Sequence, residues 1–274
     1  MVVTGAWAAA REDDDDAGAG GLPRGACPWT APGGAQTPRG HGVPGSRENP
    51  RTHARSPEPP VSVSVVIPTH RRAHMLAAAL ASATTNSPLV IEVLVVDDNL
   101  DPAETAAAQQ VVDRFPLARL VKNSRAKGGN GARNTGILAA KGEHIAFLDD
   151  DDVWLPGKLD AQVPHLDRAG VVLCGFRDTD TNLGQTRVVE LENVPPQLYD
   201  DFRQGHCPPS RTLLIMERMW FPTSLAVVRR QVLLDVGLFD EQLKCMQDLD
   251  LWMRCSTVTT FHIVRAPYAE FIHH

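Results

Sequence analysis

From Val61 the chain alternates apolar and polar positions and then runs apolar through Ile67 (VSVSVVI), as a strand buried on both faces does. The alanine-rich stretch Ala73–Thr85 predicts a helix, and the β-branched run Ile91–Val96 predicts a second strand. A helix over Ala103–Phe115, a short strand over Ala118–Val121, a helix over Asn130–Lys141 stopped by Gly142, and a strand over His144–Leu148 continue the series. Strands alternating with helices imply an α/β fold, a Rossmann-like and mostly parallel sheet flanked by helices. Beyond Trp154 the pattern loosens. Pro156–Ala169 reads as a helix interrupted by Pro164, Val171–Phe176 and Ser224–Val228 as strands, and Arg229–Val236 and Gln247–Ser256 as helices. Residues 180–222 mix polar, Pro and Gly positions in the manner of binding loops, and no internal repeat is present.

Composition changes at the start of that pattern. Gly and Pro make up about a third of residues 1–60 and about a tenth of the rest, so the first segment is expected to be a disordered tail. The acidic run Asp13–Asp16 inside it reads as solvated charge. Residues 61–274 then form a single domain. A formal charge of −6 argues against a nucleic-acid partner, which needs a basic face. The five cysteines form no CxxC pair, which is neither a disulfide framework nor a zinc pattern and points to a reduced, cytoplasmic setting. Met1–Ala10 lacks a basic flank and does not read as a signal peptide, and no run reaches the ~20 apolar residues of a membrane span, which leaves peripheral membrane contact open.

In an open parallel sheet, ligands bind outside the carboxyl ends of the strands, where strand order reverses. Three predicted strand ends carry polar residues: Pro68-Thr69-His70-Arg71-Arg72, Asp97-Asp98-Asn99 and Asp149-Asp150-Asp151-Asp152. Four successive carboxylates repel one another and need a counter-charge, which a divalent cation supplies. On extended backbone, alternation places Asp149 and Asp151 on one side. Oxygen ligands suit Mg²⁺ or Mn²⁺, which take one or two carboxylates plus substrate phosphates. The plainer reading is a strand end with turn-forming aspartates, and the Asp97-Asp98 pair is open to it as well. Gly128-Gly129-Asn130-Gly131-Ala132-Arg133-Asn134 opens a helix where backbone approaches a ligand closely and anions are favoured, with Arg133 placed to face a pyrophosphate. In Met246-Gln247-Asp248-Leu249-Asp250 the two aspartates do not share a helix face. One of them can serve as a general base, and spacing does not say which.

Together these stretches resemble the family 2 glycosyltransferases, inverting enzymes of the GT-A fold. The resemblance is carried by VSVVIPTHRR, VLVVDDN, NGARNTGILAAKGEHIAFLDDDDVWLPGKL and SLAVVRRQVLLDVGLFDEQLKCMQDLDLWMR, in the family's order. It implies a nucleoside-diphosphate sugar donor bound by residues 61–154 and an acceptor bound by residues 155–274. Asp149 and Asp151 match the DxD metal motif, with Asp150 between them beside the donor. Asp98 matches the aspartate that contacts the base, Asp97 precedes it, and Pro68, Thr69 and Arg71 lie in the nucleotide loop. Arg133 and Asn134 match a segment near the donor, and Asp248 matches the catalytic base. Gln247 stands where the family usually has Glu, and Asn99-Leu100 replaces its usual Gly-Ser.

The implied reaction is a single displacement with inversion, in which Asp248 takes the acceptor proton and a Mn²⁺ or Mg²⁺ ion offsets charge on the leaving diphosphate. The acceptor hydroxyl, on a polysaccharide, a lipid carrier or a small natural product, is unspecified. Two rival readings are a haloacid-dehalogenase-like phosphatase, whose DxDxV motif Asp149–Val153 imitates, and a catalytically inactive GT-A-like binding domain. A nicotinamide-dinucleotide module is disfavoured because no GxGxxG follows the first strand.

Overall fold

Strand β1 (Val63–Thr69) is buried along almost its whole length and lies between two parallel neighbours, β2 (Val90–Asp97) and β4 (His144–Phe147). The computed structural model describes residues 61–180, 182, 184–189 and 221–273. The tail expected over residues 1–60, most of the loop region expected over 180–222, and the side chains of the terminal His273-His274 pair lie outside the described residues.

Helix α1 (Ala73–Thr84) connects β1 to β2, α2 (Pro102–Val112) connects β2 to β3 (Ala118–Lys122), and α3 (Gly129–Ala139) connects β3 to β4. Helix α2 begins where the sequence directs it, with Asp101 accepting a hydrogen bond from the Ala103 N–H and Pro102 in the first turn. Helix α3 lies close against the sheet because Gly136 has no side chain; a Cβ there would stand 2.4 Å from Val66 and 3.2 Å from Val96. Among the described strands the order is β3-β2-β1-β4-β8-β6-β9-β5, with β7 (Gln185–Val189) on the free side of β6. Here β5 is Val153–Trp154, β6 Val171–Asp180, β8 Val227–Arg229 and β9 Phe261–His273. Strands β5, β7 and β8 run against the other six. The expected mostly parallel α/β architecture is therefore present, and one sheet runs through both halves of the domain.

The helix expected over Pro156–Ala169 is cut at its proline into α4 (Lys158–Gln162) and a 3-10 turn, Val163–His165. The strand expected from Ser224 starts at Val227, because Thr223–Leu225 forms a 3-10 turn. Helices α5 (Arg230–Asp235) and α6 (Gln247–Ser256) fall near their expected places. Strands β5, β7 and β9 were not expected, and β7 lies where a binding loop was expected.

Lys158, the first residue of α4, is fully buried; its ammonium lies 4.3 Å from the Trp154 ring centroid and has no hydrogen-bond partner. Burial pushes its pKa down from 10.5 to about 8, against the nearby Cys174. Between those values the unfolded chain holds the proton more tightly, so stability is expected to rise as pH climbs from 8 to about 9, above which the buried Cys174 and Cys255 thiols, pushed up to about 11 and 12, act in the opposite sense. Lys158→Met is expected to raise neutral-pH stability by roughly 1–3 kcal/mol and to flatten that rise. Thermal melts of both proteins across this pH range check it. A lower melting temperature for the variant at pH 7 would mean that the contact with Trp154 outweighs desolvation.

Candidate functional site

The strand order 3-2-1-4 reverses between β1 and β4, and a cavity of about 480 Å³ opens at the carboxyl ends of these strands. Its volume lies within the usual range for small-molecule sites. It is lined by Pro68, Thr69, His70 and Arg72 after β1, and by Asp98 after β2. Gly129, Ala132 and Arg133 enter from the start of α3, Asp149 to Asp151 from the end of β4, and Phe271 from β9.

The four aspartates do not continue the strand. The Asp152 N–H donates to the Asp149 carbonyl at 3.2 Å, which closes a turn through Asp150 and Asp151. The alternation expected of extended backbone therefore does not apply, and Asp149, Asp150 and Asp151 all reach the cavity wall. Asp152 turns the other way. It is buried, accepts a 2.5 Å hydrogen bond from the Ser224 hydroxyl, and is pushed well above the ordinary carboxylate range, first by burial and then by the charge of Asp149. The Ser224 hydroxyl in turn accepts the Asp149 N–H at 3.0 Å, and the Trp154 indole N–H donates to the Ser224 carbonyl at 3.0 Å. The short turn Thr223–Leu225 thus fixes the acidic loop from behind.

The repulsion among these carboxylates is offset within the chain. Arg72 donates to Asp151 at 2.5 Å and to Asp150 at 3.3 Å. Arg133 donates to Asp149 at 2.5 Å and lies 5.6 Å from the Phe239 ring centroid. Its Nε is buried and has no hydrogen-bond partner. Asp150 also accepts the Thr69 hydroxyl at 2.7 Å, yet burial outweighs that bond and Arg72 and raises its pKa to about 6.

At the other end of the cavity the Asp98 carboxylate accepts the Gly128 N–H at 2.9 Å and the Asn123 amide at 2.7 Å, with the Lys127 ammonium at 3.7 Å. Gly128, with φ of 116°, occupies backbone space that favours glycine and turns the chain into α3. Gly129 and Ala132 at the start of that helix line the cavity, and Arg133 follows at the beginning of its second turn.

Of the residues singled out by sequence, the structure brings together Pro68, Thr69, Asp98, Arg133, Asp149, Asp150 and Asp151. Three others have different placements. Arg71 adopts φ of 59° and is exposed, its N–H held by the Asn99 side chain at 2.7 Å; Arg72 takes the place in the cavity that was expected of Arg71. Asp97 is wholly buried and braces its own loop, accepting from Asn99, Thr105 and Lys122. Burial alone would raise its pKa, but these bonds hold it below the ordinary value. Asn134 is buried and exchanges hydrogen bonds of 2.9 Å with the Phe239 backbone, so it fastens α3 to the loop between α5 and α6.

Asp248 lies in the first turn of α6 and is partly exposed, and it does not line the cavity. The Leu249 N–H donates to its Oδ1 at 2.8 Å. Asp250 instead pairs with Arg254 at 2.6 Å, and Arg254 reaches the Val236 and Leu238 carbonyls at 2.7 Å each. Ser224 behind the acidic turn and Phe271 on the cavity wall were not singled out by sequence, and Arg72 was named there only as part of the polar strand end.

The domain built around this cavity matches the model of glycosyl transferase family 2 over residues 64–221, and the chain belongs to that family. Among curated proteins it is 35% identical over 101 residues to the Escherichia coli UDP-Glc:alpha-D-GlcNAc-diphosphoundecaprenol beta-1,3-glucosyltransferase WfgD, covering 37% of this chain and 39% of that one. It is 37% identical over 108 residues to the succinoglycan biosynthesis protein ExoO of Rhizobium meliloti, covering 39% and 30%. A match to an uncharacterized glycosyltransferase of Rickettsia prowazekii is longer, 27% identical over 212 residues, and covers 73% and 60%. The matched regions therefore span less than two thirds of each of these relatives. Among solved structures, S. aureus TarS 1-349 in complex with UDP-GlcNAc superposes with a TM-score of 0.58 at 20% identity, covering 78% of this chain and 59% of that one, which is a likeness of fold. Family membership, with the acidic turn placed after β4 and three strand–helix units before it, runs against the phosphatase reading, whose nucleophile belongs on a first strand.

Proposed function

We propose that this chain transfers a hexosyl group from a nucleoside-diphosphate sugar to an acceptor hydroxyl, with inversion at the anomeric carbon. The observation that carries this reading is the convergence of Asp98, Arg133, the start of α3 and the Asp149–Asp151 turn on one cavity at the switch point of a family 2 domain. Asp98 is assigned to the base, and Pro68 and Thr69 to the nucleoside side. Arg133 and the start of α3, which line the cavity, are assigned to the diphosphate.

Asp149 and Asp151 are assigned to a divalent ion, Mn²⁺ or Mg²⁺. Both are partly exposed on the cavity wall and offer hard oxygen donors. Among the described residues no group of three or more His, Cys, Asp or Glu side chains is placed to hold a metal. Two carboxylates completed by diphosphate oxygens and water fit the habit of these ions. When bound, such an ion neutralises charge on the departing nucleoside diphosphate. Arg72 and Arg133, which now pair with these carboxylates, are then free to meet donor phosphate oxygens.

Asp248 is assigned as the general base, taking the acceptor proton as the hydroxyl oxygen attacks. Its place outside the donor cavity accords with that role, since a base in a transfer reaction faces the acceptor. The acceptor is a polysaccharide, lipid-carrier or small-molecule hydroxyl. No helix among the described residues is long and apolar enough to cross a membrane. The unpaired Cys174, Cys245 and Cys255 accord with a reducing, cytoplasmic setting, with peripheral membrane contact compatible with it.

The test is a thermal-shift titration with UDP, GDP and dTDP, each with and without Mn²⁺. UDP comes first because the WfgD and TarS names carry uridine nucleotides. Ligand at about 100 times its Kd is expected to stabilise the fold by about 2.7 kcal/mol. No metal-dependent shift with any of the three would overturn the donor-site reading.

A further inference from the structure

The loop between β3 and α3 supplies the Gly128 N–H and the Asn123 amide to Asp98, so the orientation of the Asp98 carboxylate depends on that loop's shape. The Asn123 side-chain amide donates to the Ala126 carbonyl at 3.0 Å, and its Oδ1 accepts the Arg125 N–H at 3.0 Å and the hydroxyl of Thr135 on α3 at 2.8 Å. Tight packing fixes it further: a Cβ on Gly131 would stand 1.8 Å from the Ala126 carbonyl oxygen.

The outer side of the same loop is held by one residue from the far half of the chain. Glu241, between α5 and α6, accepts the Ala126 N–H at 3.1 Å, the Arg125 guanidinium, and the Asn134 amide at 2.8 Å. These three donors outweigh burial and hold its carboxyl below the ordinary range. Its loop is itself fastened to α3, since Asn130 donates to the Asp240 and Leu243 carbonyls at 2.7 and 3.1 Å. Glu241 therefore stands on the fixed side and clamps the loop against it. From the Ala126 amide that Glu241 holds, two residues lead to the Gly128 amide that holds Asp98.

We propose that Glu241 is a positioning residue for nucleoside recognition, acting through the Arg125–Gly128 loop on Asp98 and without contact to the donor. This links the segment carrying Asp248 to the pocket that selects the donor base. It rests on the reading of the cavity as the donor site.

A double-mutant cycle tests it, using calorimetric titration with UDP, GDP and dTDP, each with Mn²⁺, and carrying forward whichever wild type holds most tightly. Glu241→Ala is expected to weaken that binding about tenfold. Glu241→Gln, which keeps one acceptor oxygen, is expected to weaken it only about threefold. In an Asp98→Ala background Glu241→Ala is expected to have almost no further effect, because both changes remove the same arrangement. Independently of any nucleotide, amide exchange at Ala126–Gly128 is expected to quicken about tenfold or more in Glu241→Ala, while exchange in β1 and β4 stays unchanged.

Wild-type affinity in Glu241→Ala, or an equal loss in both Asp98 backgrounds, overturns the proposal and leaves the donor site standing. A wild-type protein that holds none of the three nucleotides overturns the donor-site reading, and this assignment with it, whatever the exchange shows.

Discussion

Asp151→Asn is expected to remove metal-dependent nucleoside-diphosphate binding while leaving the melting temperature of the ligand-free protein nearly unchanged. Asp149→Asn is expected to do the same. Truncating one partner of a close charge pair typically costs 2–5 kcal/mol, so the loss in affinity should be on the order of 10²-fold or more. Relief of repulsion among four carboxylates would by itself stabilise the ligand-free variants. Here that gain is small, because Arg72 already neutralises Asp151 and Arg133 neutralises Asp149. Calorimetric titration with UDP and Mn²⁺ checks the affinity, and a thermal melt without ligand checks the fold. Wild-type affinity in both variants would remove the metal-site assignment. Asp152→Asn makes the contrast. That carboxyl faces Ser224 and is shifted well above the ordinary range, so the substitution should act on stability and on the set of the loop, with far less effect on metal dependence.

The parts of this fold that were legible in the sequence are those whose burial is one-sided in cause. Strand β1 is covered on both faces and therefore reads as an apolar run, and α3 announces itself by the glycines that let it pack closely on the Ala126 loop and the sheet. Strand β9 was not legible. Its pairing with β6 shifts register around Cys174 to Phe176, so that Gly175 opposes Pro267 and Phe176 opposes Ala269. A bulge of that kind destroys period-2 alternation, and the Pro267 it accommodates reads locally as a strand breaker.

Within the site, sequence located the strand ends but not which of two adjacent side chains faces inward. Arg71 and Arg72 are equivalent as letters; the left-handed backbone of Arg71 sends it outward. Arg133 and Asn134 are neighbours on a helix and so point about 100° apart. One reaches the cavity while the other fastens the α5–α6 loop. Asp97 and Asp98 separate for a reason that lies 25 residues away, since Lys122 on β3 captures Asp97 and leaves Asp98 to the cavity. Partners that distant leave no local signal.

The same division of adjacent acids on one element governs the expected behaviour of α6. Asp248→Asn should keep nucleotide and metal affinity near wild type while turnover falls by about 10²–10⁴-fold, the usual worth of general-base catalysis. Asparagine keeps the shape of the side chain and loses its negative charge and with it the ability to take a proton. Asp250→Asn should behave otherwise. Its carboxylate holds Arg254, and Arg254 caps the end of α5 and its following turn through the Val236 and Leu238 carbonyls. Loosening that anchor should lower the melting temperature and leave turnover per folded molecule within a few-fold of wild type. Turnover is measured with acceptor where one is found, and otherwise as slow donor hydrolysis, with water in place of the acceptor hydroxyl. The two variants must be compared under identical nucleotide saturation, so that a binding loss is not read as a chemical one. Normal turnover in Asp248→Asn together with an inactive Asp250→Asn would exchange the roles of the two aspartates, and would require Asp250 to release Arg254 when the acceptor binds.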